Sequence, residues 1–201
     1  MTRLYRLLIL TIVVVLALAS AAHAAVPGAD HTIASGINNA GQIVGFYEDA
    51  TGGGHGFLKD GANISTLNYP GPCWTFLNKI NNLGQIVGRY NVPIGGNHGF
   101  LKSNTTYTEI FFPGANETEA QGINNLGQIV GSYYTQTTGH GFIKDGTRYA
   151  TIDFPGAKGI VARGINDKGQ IVGVYQDSVG KEHGFLAEPI RNPTAIYLLL
   201  D

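Results

Sequence analysis

The sequence predicts an all-β protein whose four copies of one repeat form a β-propeller-like array. The string I-N-x-x-G-Q-I-V-G recurs with a period of 42 or 43 residues, beginning at Ile37, Ile80, Ile123 and Ile165. The tripeptide His-Gly-Phe recurs with the same period. The chain contains 29 glycines and only 13% charged residues, a composition that favours tight turns over helices.

The first 24 residues predict a secretory signal peptide. Arg3 and Arg6 precede an apolar run of about 13 residues, and a small-x-small sequence follows at Ala22-His23-Ala24. The apolar run is short for a membrane span, which needs roughly 20 residues. We therefore expect an exported protein, secreted or periplasmic, that is not inserted in a membrane after cleavage of residues 1–24.

Residues 25–201 are expected to form a single β-repeat domain. The repeats are predicted at about 27–69, 70–112, 113–154 and 155–197. Each repeat contains four strand-like segments, which in the first copy are Thr32–Asn38 (A), Gly41–Tyr47 (B), His55–Lys59 (C) and Ile64–Tyr69 (D). Four antiparallel strands in about 43 residues match one propeller blade. A β-solenoid with two coils per repeat is the alternative.

Two local patterns support the strand assignment. Between A and B lies Asn-x-x-Gly, as in Asn38 to Gly41, which is typical of a type I turn followed by a glycine bulge. Strand B alternates, and Ile43, Gly45 and Tyr47 recur unchanged on one side in all four copies. A glycine that recurs within a strand predicts close approach of another backbone at that position.

The recurring motifs resemble those of the HAF-type extracellular repeat of bacteria. The segments that carry the resemblance are GINNAGQIVGFY (Gly36–Tyr47), HGFLKDG (His55–Gly61) and IDFPGA (Ile152–Ala157). The similarity covers nearly all of the chain after the predicted cleavage site. It implies an exported, repeated, β-rich protein and supplies no catalytic residues. The second copy departs most, with Lys79 where the others have glycine and Pro72 where the others have alanine.

Composition and motifs exclude several function classes. The formal net charge is −1 and no basic patch is evident, so no nucleic-acid partner is expected. The single cysteine, Cys73, cannot form an internal disulfide, and we expect it to be small and partly buried. No nucleophile elbow, phosphate-binding glycine loop or zinc-ligand spacing is present.

The four equivalent histidines raise the question of a metal site. If they pointed into a central channel, they would ring a metal; these residues are His55, His98, His140 and His183. The favoured interpretation is a structural hydrogen bond that locks each unit. The recurrent asparagines are expected to serve turns, and the recurrent glutamines, such as Gln42, to satisfy backbone groups between strands. No cofactor is predicted, and a single divalent cation such as calcium remains open.

Strand parity predicts where a binding site should lie. In antiparallel A-B-C-D units, the B–C and D–A loops share one end, and these loops vary most among the copies. The ligand-binding candidates on this end are Asp30, His31, Asp49, Trp74, Asn116 and Glu117. Trp74 is the only tryptophan, and an exposed aromatic ring beside acids and amides can stack on a sugar.

The leading functional hypothesis is a non-enzymatic binding or surface-associated module that uses this variable loop face. Its expected partners are a small molecule or a glycan, with a protein partner or self-association left open. The rival hypothesis is an extracytoplasmic hydrolase or lactonase, with or without a metal, that uses Asp30, His31, Glu117 and Asp49. Those residues lie in different repeats and would converge only if the array closed.

Overall fold

The structure is a computed structural model that describes residues 26–92, 95–189 and 196–199. It contains 16 strands, and the described residues form no helix. The first unit contains β1 (Ala29–Ile37), β2 (Ile43–Asp49), β3 (Gly54–Asp60) and β4 (Asn63–Thr66). The second contains β5 (Trp74–Ile80), β6 (Ile86–Val92), β7 (Gly96–Ser103) and β8 (Thr106–Ile110). The third contains β9 (Glu117–Ile123), β10 (Ile129–Tyr134), β11 (Gly139–Asp145) and β12 (Arg148–Ile152). The fourth contains β13 (Gly159–Ile165), β14 (Ile171–Gln176), β15 (Glu182–Pro189) and β16 (Ile196–Leu199).

Each unit is a four-stranded antiparallel sheet whose strands pair in chain order. A single parallel bridge between Gly139 and Gly159 joins the sheets of the third and fourth units. The prediction of an all-β chain built from antiparallel A-B-C-D units is thus confirmed. The predicted signal peptide lies outside the described residues. No helix among the described residues has the length and apolar character needed to cross a membrane.

The turn between the first two strands of each unit has the predicted geometry. The amide of Gly41 donates to the carbonyl oxygen of Asn38 over 3.0 Å, and Gly41 has φ of +79°. The side-chain oxygen of Asn38 accepts hydrogen bonds from the amides of Ala40 and Gln42 at 3.1 and 3.0 Å. The asparagine therefore satisfies the turn's own backbone, as an Asx turn does.

The glutamine after each turn has a different partner from the predicted one. The Gln42 side chain accepts a hydrogen bond from Asn38 Nδ2 at 2.8 Å and donates to Asp60 Oδ2 at 2.9 Å. It thus bridges two side chains, one on the A–B turn and one at the end of the third strand, and does not satisfy backbone groups between strands. The reason is that the A–B turn and the turn after the third strand lie at the same end of the unit, so that one side-chain amide reaches both.

The recurrent glycine of the second strand is required by close packing. A Cβ atom on Gly45 would lie 2.0 Å from the carbonyl oxygen of Ile33 and 2.6 Å from the Phe57 ring. The first strand is irregular here, with a register shift between Ala34 and Gly36. Such a bulge turns a backbone carbonyl towards the neighbouring strand, and only glycine leaves room for it.

Consecutive units pack through one repeated contact. A valine from the second strand of one unit is fully buried in the apolar cluster of the next unit: Val44, Val87 and Val130. In the cluster that receives Val44, the partners from the second unit include Leu77, Ile80 and Ile86. Burying such a side chain contributes roughly 1.5–3 kcal/mol. The core is therefore distributed over three junctions between units.

A second repeated contact is a stack of two aromatic rings at the junction between units. The aromatic residue that precedes the first strand of a unit stacks on that unit's own second-strand tyrosine. Tyr69 stacks on Tyr90 with ring centroids 3.7 Å apart, and Phe112 stacks on Tyr133 at the same distance. Tyr197, at the corresponding position of the fourth copy, lies in β16 and pairs with Glu188 inside the last sheet.

The first and fourth units do not stack on each other in the described structure. No strand of the first unit pairs with a strand of the fourth, and extensive packing joins only consecutive units. The side chain of Ile37 is 64% exposed, whereas Ile80 and Ile123 at the equivalent position are 5% and 6% exposed. Within the described part of the chain, the outer faces of the first and fourth units are therefore not covered by another unit, and we call them the end faces.

Candidate functional site

The connections between second and third strands, and those between units, lie together at one end of the array. This follows from the pairing of Ala29 at the start of β1 with Asp49 at the end of β2. The same relation holds in the second unit, where Trp74 pairs with Asn91. We call this end the loop end. It is the end at which the sequence placed the candidate binding residues.

The histidines of the first and fourth units each bind an aspartate of the preceding loop. His55 Nε2 lies 2.8 Å from Asp49 Oδ2, and His183 Nε2 lies 2.9 Å from Asp177 Oδ2. Hydrogen bonds from the Thr51 hydroxyl and from His55 hold the pKa of Asp49 well below its usual range. The hydrogen bond from His183, assisted by backbone amides, lowers the pKa of Asp177 to about 2. Both carboxylates are therefore ionised at neutral pH.

The histidines of the second and third units bind a carboxylate on the opposite side of the ring. His98 Nδ1 lies 2.6 Å from Glu109 Oε1, and His140 Nδ1 lies 2.9 Å from Asp153 Oδ1. The hydrogen bond from His98 lowers the pKa of Glu109. All four histidines thus pair within their own unit, and the described residues contain no cluster of three potential metal ligands. The structure does not bring the histidines together as a ring.

The three junctions between units differ at one position at the loop end. The first strand begins with Trp74 in the second unit, Glu117 in the third and Gly159 in the fourth. Trp74 and Glu117 lie directly on a glycine of the preceding unit. A Cβ atom on Gly54 would be 2.7 Å from the Trp74 ring, and one on Gly96 would be 2.5 Å from Glu117 Cγ. These two side chains fill the first and second junctions.

The second junction is further closed by a polar network. Asn97 Nδ2 donates to Glu117 Oε2 at 3.3 Å and to Glu119 Oε1 at 2.9 Å. The Arg89 guanidinium lies 4.2 Å above the Phe76 ring, and its Nε lies 3.6 Å from Glu119 Oε1. The polar atoms of Asn97, Glu117 and Glu119 are thus engaged with one another rather than directed outwards together.

The third junction has no side chain at this position, and a cleft lies beside it, between Gly139 and Ile160. It has a volume of about 370 Å³, near the lower limit of the range for small-ligand pockets. Its lining residues come from the loop end of the third unit and the start of the fourth: Thr138, Gly139, His140, Asp153, Phe154, Pro155, Ala157 and Ile160. The cleft is open to solvent at the loop end.

The cleft has one polar wall and one apolar floor. The polar wall is the His140–Asp153 pair, in which Asp153 is 54% exposed and His140 is 22% exposed. The His140 ring is also stacked on Tyr133 with centroids 5.0 Å apart, which fixes its plane. The floor is formed by Phe154, Pro155, Ala157 and Ile160, with Phe154 held against Tyr175 at 4.6 Å. Such a surface suits a small molecule with hydroxyl groups on one side and C–H groups on the other.

The other predicted candidates lie at the loop end but do not converge. Asp30 and His31 are exposed at the start of β1, and Asp49 binds His55 and Thr51. Glu117 belongs to the second junction.

Among the described residues, no hydrogen bond or ion pair joins Asp30, His31 or Asp49 to Glu117. The backbone amide of Asn116 donates to the carbonyl oxygen of Tyr134, while its side chain is exposed. Trp74 is 46% exposed and packs on Phe46 and Phe76 at 6.4 Å.

Sequence reasoning missed the cleft residues His140 and Asp153 as a pair. The signal that could have found them is the alignment of the four copies at the first-strand start, where tryptophan and glutamate give way to glycine at Gly159. Asp153 was visible as the acid before Phe154 in the third copy, where the first and second copies carry Asn68 and Phe111.

No family model and no curated protein matches the chain. Among solved structures, the chain is similar to a mutant of Aleuria aurantia lectin in complex with alpha-methyl-L-fucoside. The sequence identity is 12% and the TM-score is 0.48, over 79% of this chain and 56% of the lectin chain. The chain thus spans little more than half the length of that protein.

Proposed function

We propose that this chain is a non-enzymatic binding module that holds a small hydroxyl-bearing ligand, of the saccharide class, in the cleft at its third junction. One observation carries the proposal. Of the three junctions, the third lacks the side chain that lies on the preceding glycine in the other two, and the cleft opens beside this position. On this proposal, the absence of a side chain at Gly159 is what leaves the third junction accessible to a ligand.

The cleft supplies both kinds of contact that a saccharide needs. The Asp153 carboxylate accepts hydrogen bonds from hydroxyl groups, and a carboxylate that is already half-exposed loses little hydration when it does so. His140 uses Nδ1 for Asp153, which leaves Nε2 for a ligand oxygen. The apolar floor takes the C–H face of the ring, so that specificity comes from the wall and contact area from the floor.

The proposed architecture is a propeller-like array of four blades, and the proposed context is export. The support for blades is the order of four antiparallel strands per unit and the stacking of each unit on the next. The support for export is the signal-like segment at residues 1–24 and the resemblance of the repeats to the HAF type.

Calorimetric titration of the purified protein with a panel of neutral mono- and disaccharides tests the binding proposal. We expect binding to at least one of them and its loss in Gly159→Trp, which places at the third junction the side chain that fills the first. Asp153→Asn should weaken the same binding by roughly tenfold or more, because a charged hydrogen-bond acceptor is lost. The matched control is Asp145→Asn, an exposed carboxylate of the same unit at the opposite end of the sheet.

Two outcomes would refute the proposal. The first is that Gly159→Trp binds the ligand as well as the unaltered protein does, which would move the site elsewhere. The second is that ester, lactone and glycoside panels are hydrolysed and that His140→Ala removes the activity. In that case the His140–Asp153 pair acts as a general base and the protein is an enzyme.

A further inference from the structure

The two end faces of the array carry the residues that the internal junctions bury. At the open face of the fourth unit, Val172 is 50% exposed, whereas its equivalents in the first three units are all 0% exposed. At the open face of the first unit, Ile37 is 64% exposed. Each end face is therefore one half of a junction whose other half lies at the opposite end of the array.

A cleft at the first unit includes the positions that would receive a valine from a preceding unit. It has a volume of about 370 Å³ and is lined by Ala34, Ser35, Gly36, Ile37, Ile43 and Lys79. In the first internal junction, Val44 packs with Leu77, Ile80 and Ile86. Those three positions correspond to Ala34, Ile37 and Ile43. Three of the six lining residues thus occupy the positions that would receive a valine from a preceding unit, whereas Gly36 and Lys79 lie at the contact with the second unit.

A polar ladder runs through the junctions in one direction. Asn38 Nδ2 donates to the carbonyl oxygen of Asn81 at 3.2 Å, and Asn81 Nδ2 donates to that of Asn124 at 3.0 Å. Asn124 Nδ2 likewise donates to the carbonyl oxygen of Asn166 at 3.0 Å. A parallel set joins each following backbone amide to a side chain of the next unit, as from Asn39 to the Oδ1 of Asn82 at 2.8 Å.

This direction leaves complementary groups at the two ends. At the fourth unit, Asn166 Nδ2 donates only to Gln170 within the described residues, and the amide of Asp167 has no next unit. At the first unit, the carbonyl of Asn38 and the side-chain oxygen of Asn39 receive nothing from a preceding unit. Donors thus face outwards at one end and acceptors at the other, as in the three completed junctions.

We propose that the fourth unit of one copy of this chain binds the first unit of a second copy, and so forms a fourth junction of the same kind as the internal three. Val172 of one copy enters the cleft between Ile37 and Ile43 of the other. Asn166 donates to the Asn38 carbonyl, and the Asp167 amide donates to Asn39. The contact is heterologous, because different surfaces meet, so two or more copies form a closed ring or an open chain of units.

A second copy is the occupant that the structure itself specifies. The two end faces are complementary. One exposes a valine and hydrogen-bond donors, and the other has a cleft and hydrogen-bond acceptors. The three internal junctions join the same two kinds of surface. No comparable feature among the described residues of either face specifies a ligand of another kind. The inference is independent of the loop-end cleft, because the ladder lies at the opposite end of the sheets.

The test is sedimentation velocity of the purified chain and of two variants, Ile37→Asp and Val172→Asp. We expect the unaltered protein to associate as its concentration rises and each variant to remain monomeric. Both substitutions are at exposed positions, so the melting temperature at low micromolar concentration, where the unaltered protein is monomeric, should be unchanged. The matched control is Val179→Asp, in the loop after β14, where the side chain is 83% exposed and faces no junction; this variant should associate like the unaltered protein.

A mixture of the two variants distinguishes a heterologous contact from a self-complementary one. Ile37→Asp retains an intact fourth unit and Val172→Asp retains an intact first unit, so an equimolar mixture should form one-to-one dimers and nothing larger. A self-complementary contact between two like faces would leave one of the two variants able to associate by itself, and that result would overturn the proposal. An unaltered protein that remains monomeric at about 0.5 mM would also overturn it, because specific association is expected well below that concentration.

Discussion

The polar ladder predicts that the asparagine of the A–B turn contributes more to stability in a unit that is followed by another unit than it does in the fourth unit. Asn81 is 5% exposed. It accepts hydrogen bonds from the amides of Leu83 and Gln85, and it donates to the Gln85 side chain and to the Asn124 carbonyl in the next unit. Asn166 makes the same contacts within its own unit but is exposed and reaches no further unit.

The magnitudes follow from burial. In Asn81→Ala, two part-buried amides lose their acceptor and the buried Asn124 carbonyl loses one of its two donors, and each net loss amounts to about 1 kcal/mol. We therefore expect Asn81→Ala to lower the free energy of unfolding by about 3 kcal/mol. In Asn166→Ala, water replaces the side chain, and the expected loss is about 1 kcal/mol.

The assay is urea unfolding followed by far-ultraviolet circular dichroism, at low micromolar concentration so that association does not contribute. The free energy of unfolding is obtained from the midpoint and the slope, and an unchanged slope between variants shows that the comparison is valid. Equal destabilisation by the two substitutions would refute the reasoning, since it would mean that the contact between units adds nothing to the turn.

Three further predictions concern packing and pH. Val87→Ala should lower the free energy of unfolding by about 2–3 kcal/mol, whereas Val172→Ala should lower it by less than about 0.5 kcal/mol, as measured by urea midpoints at the same low concentration; equal losses would contradict the packing described. Gly88→Ala should destabilise by at least about 3 kcal/mol or prevent folding, because its Cβ would lie 2.0 Å from a carbonyl oxygen of β5; a folded variant with an unchanged thermal midpoint would show that the bulge is not rigid. The hydrogen bond from His98 lowers the pKa of Glu109 from 4.5, so its stabilisation is present above pH 4.5 and is lost as the pH falls through the lowered value. Unfolding midpoints across this range should fall more steeply for the unaltered protein than for Glu109→Gln, and identical profiles would count against the pair.

The repeated features of the fold could be predicted from the sequence because each is encoded locally. The A–B turn depends on an asparagine and a glycine three residues apart, and both are present in every copy. The close approach at Gly45 could be anticipated because a glycine within an alternating strand weakens that strand unless another group needs the space of its missing side chain. Four occurrences of one pattern also averaged out the variation that makes a single strand ambiguous.

The cleft and the end faces could not be predicted in the same way because they depend on contacts between units. The sequence alone shows that Gly159 stands where the other copies have Trp74 and Glu117. Whether this leaves space between the units depends on which glycine of the preceding unit lies beneath each side chain. The exposure of Val172 has no local signal at all, since the same I-V-G sequence surrounds the fully buried Val44. What differs is the presence of a neighbouring unit.

The pairing of the histidines was anticipated only as a general structural hydrogen bond. Its partners vary because the acid arises in the B–C loop in two units and near the end of the fourth strand in the other two, as Asp49 and Asp153 illustrate. Asp153 also lines the cleft at the third junction. A shared motif therefore supports a different local surface in each unit.

The most direct test of the proposed function is a nuclear magnetic resonance titration of the isotope-labelled protein with the saccharide that binds it. The amide shifts of His140, Asp153 and Ile160 should move together and saturate with one dissociation constant, while those around Trp74 and Glu117 remain in place. Saturable shifts centred on Trp74 or Glu117, with the third junction unaffected, would contradict the assignment of the binding site to the cleft beside Gly159.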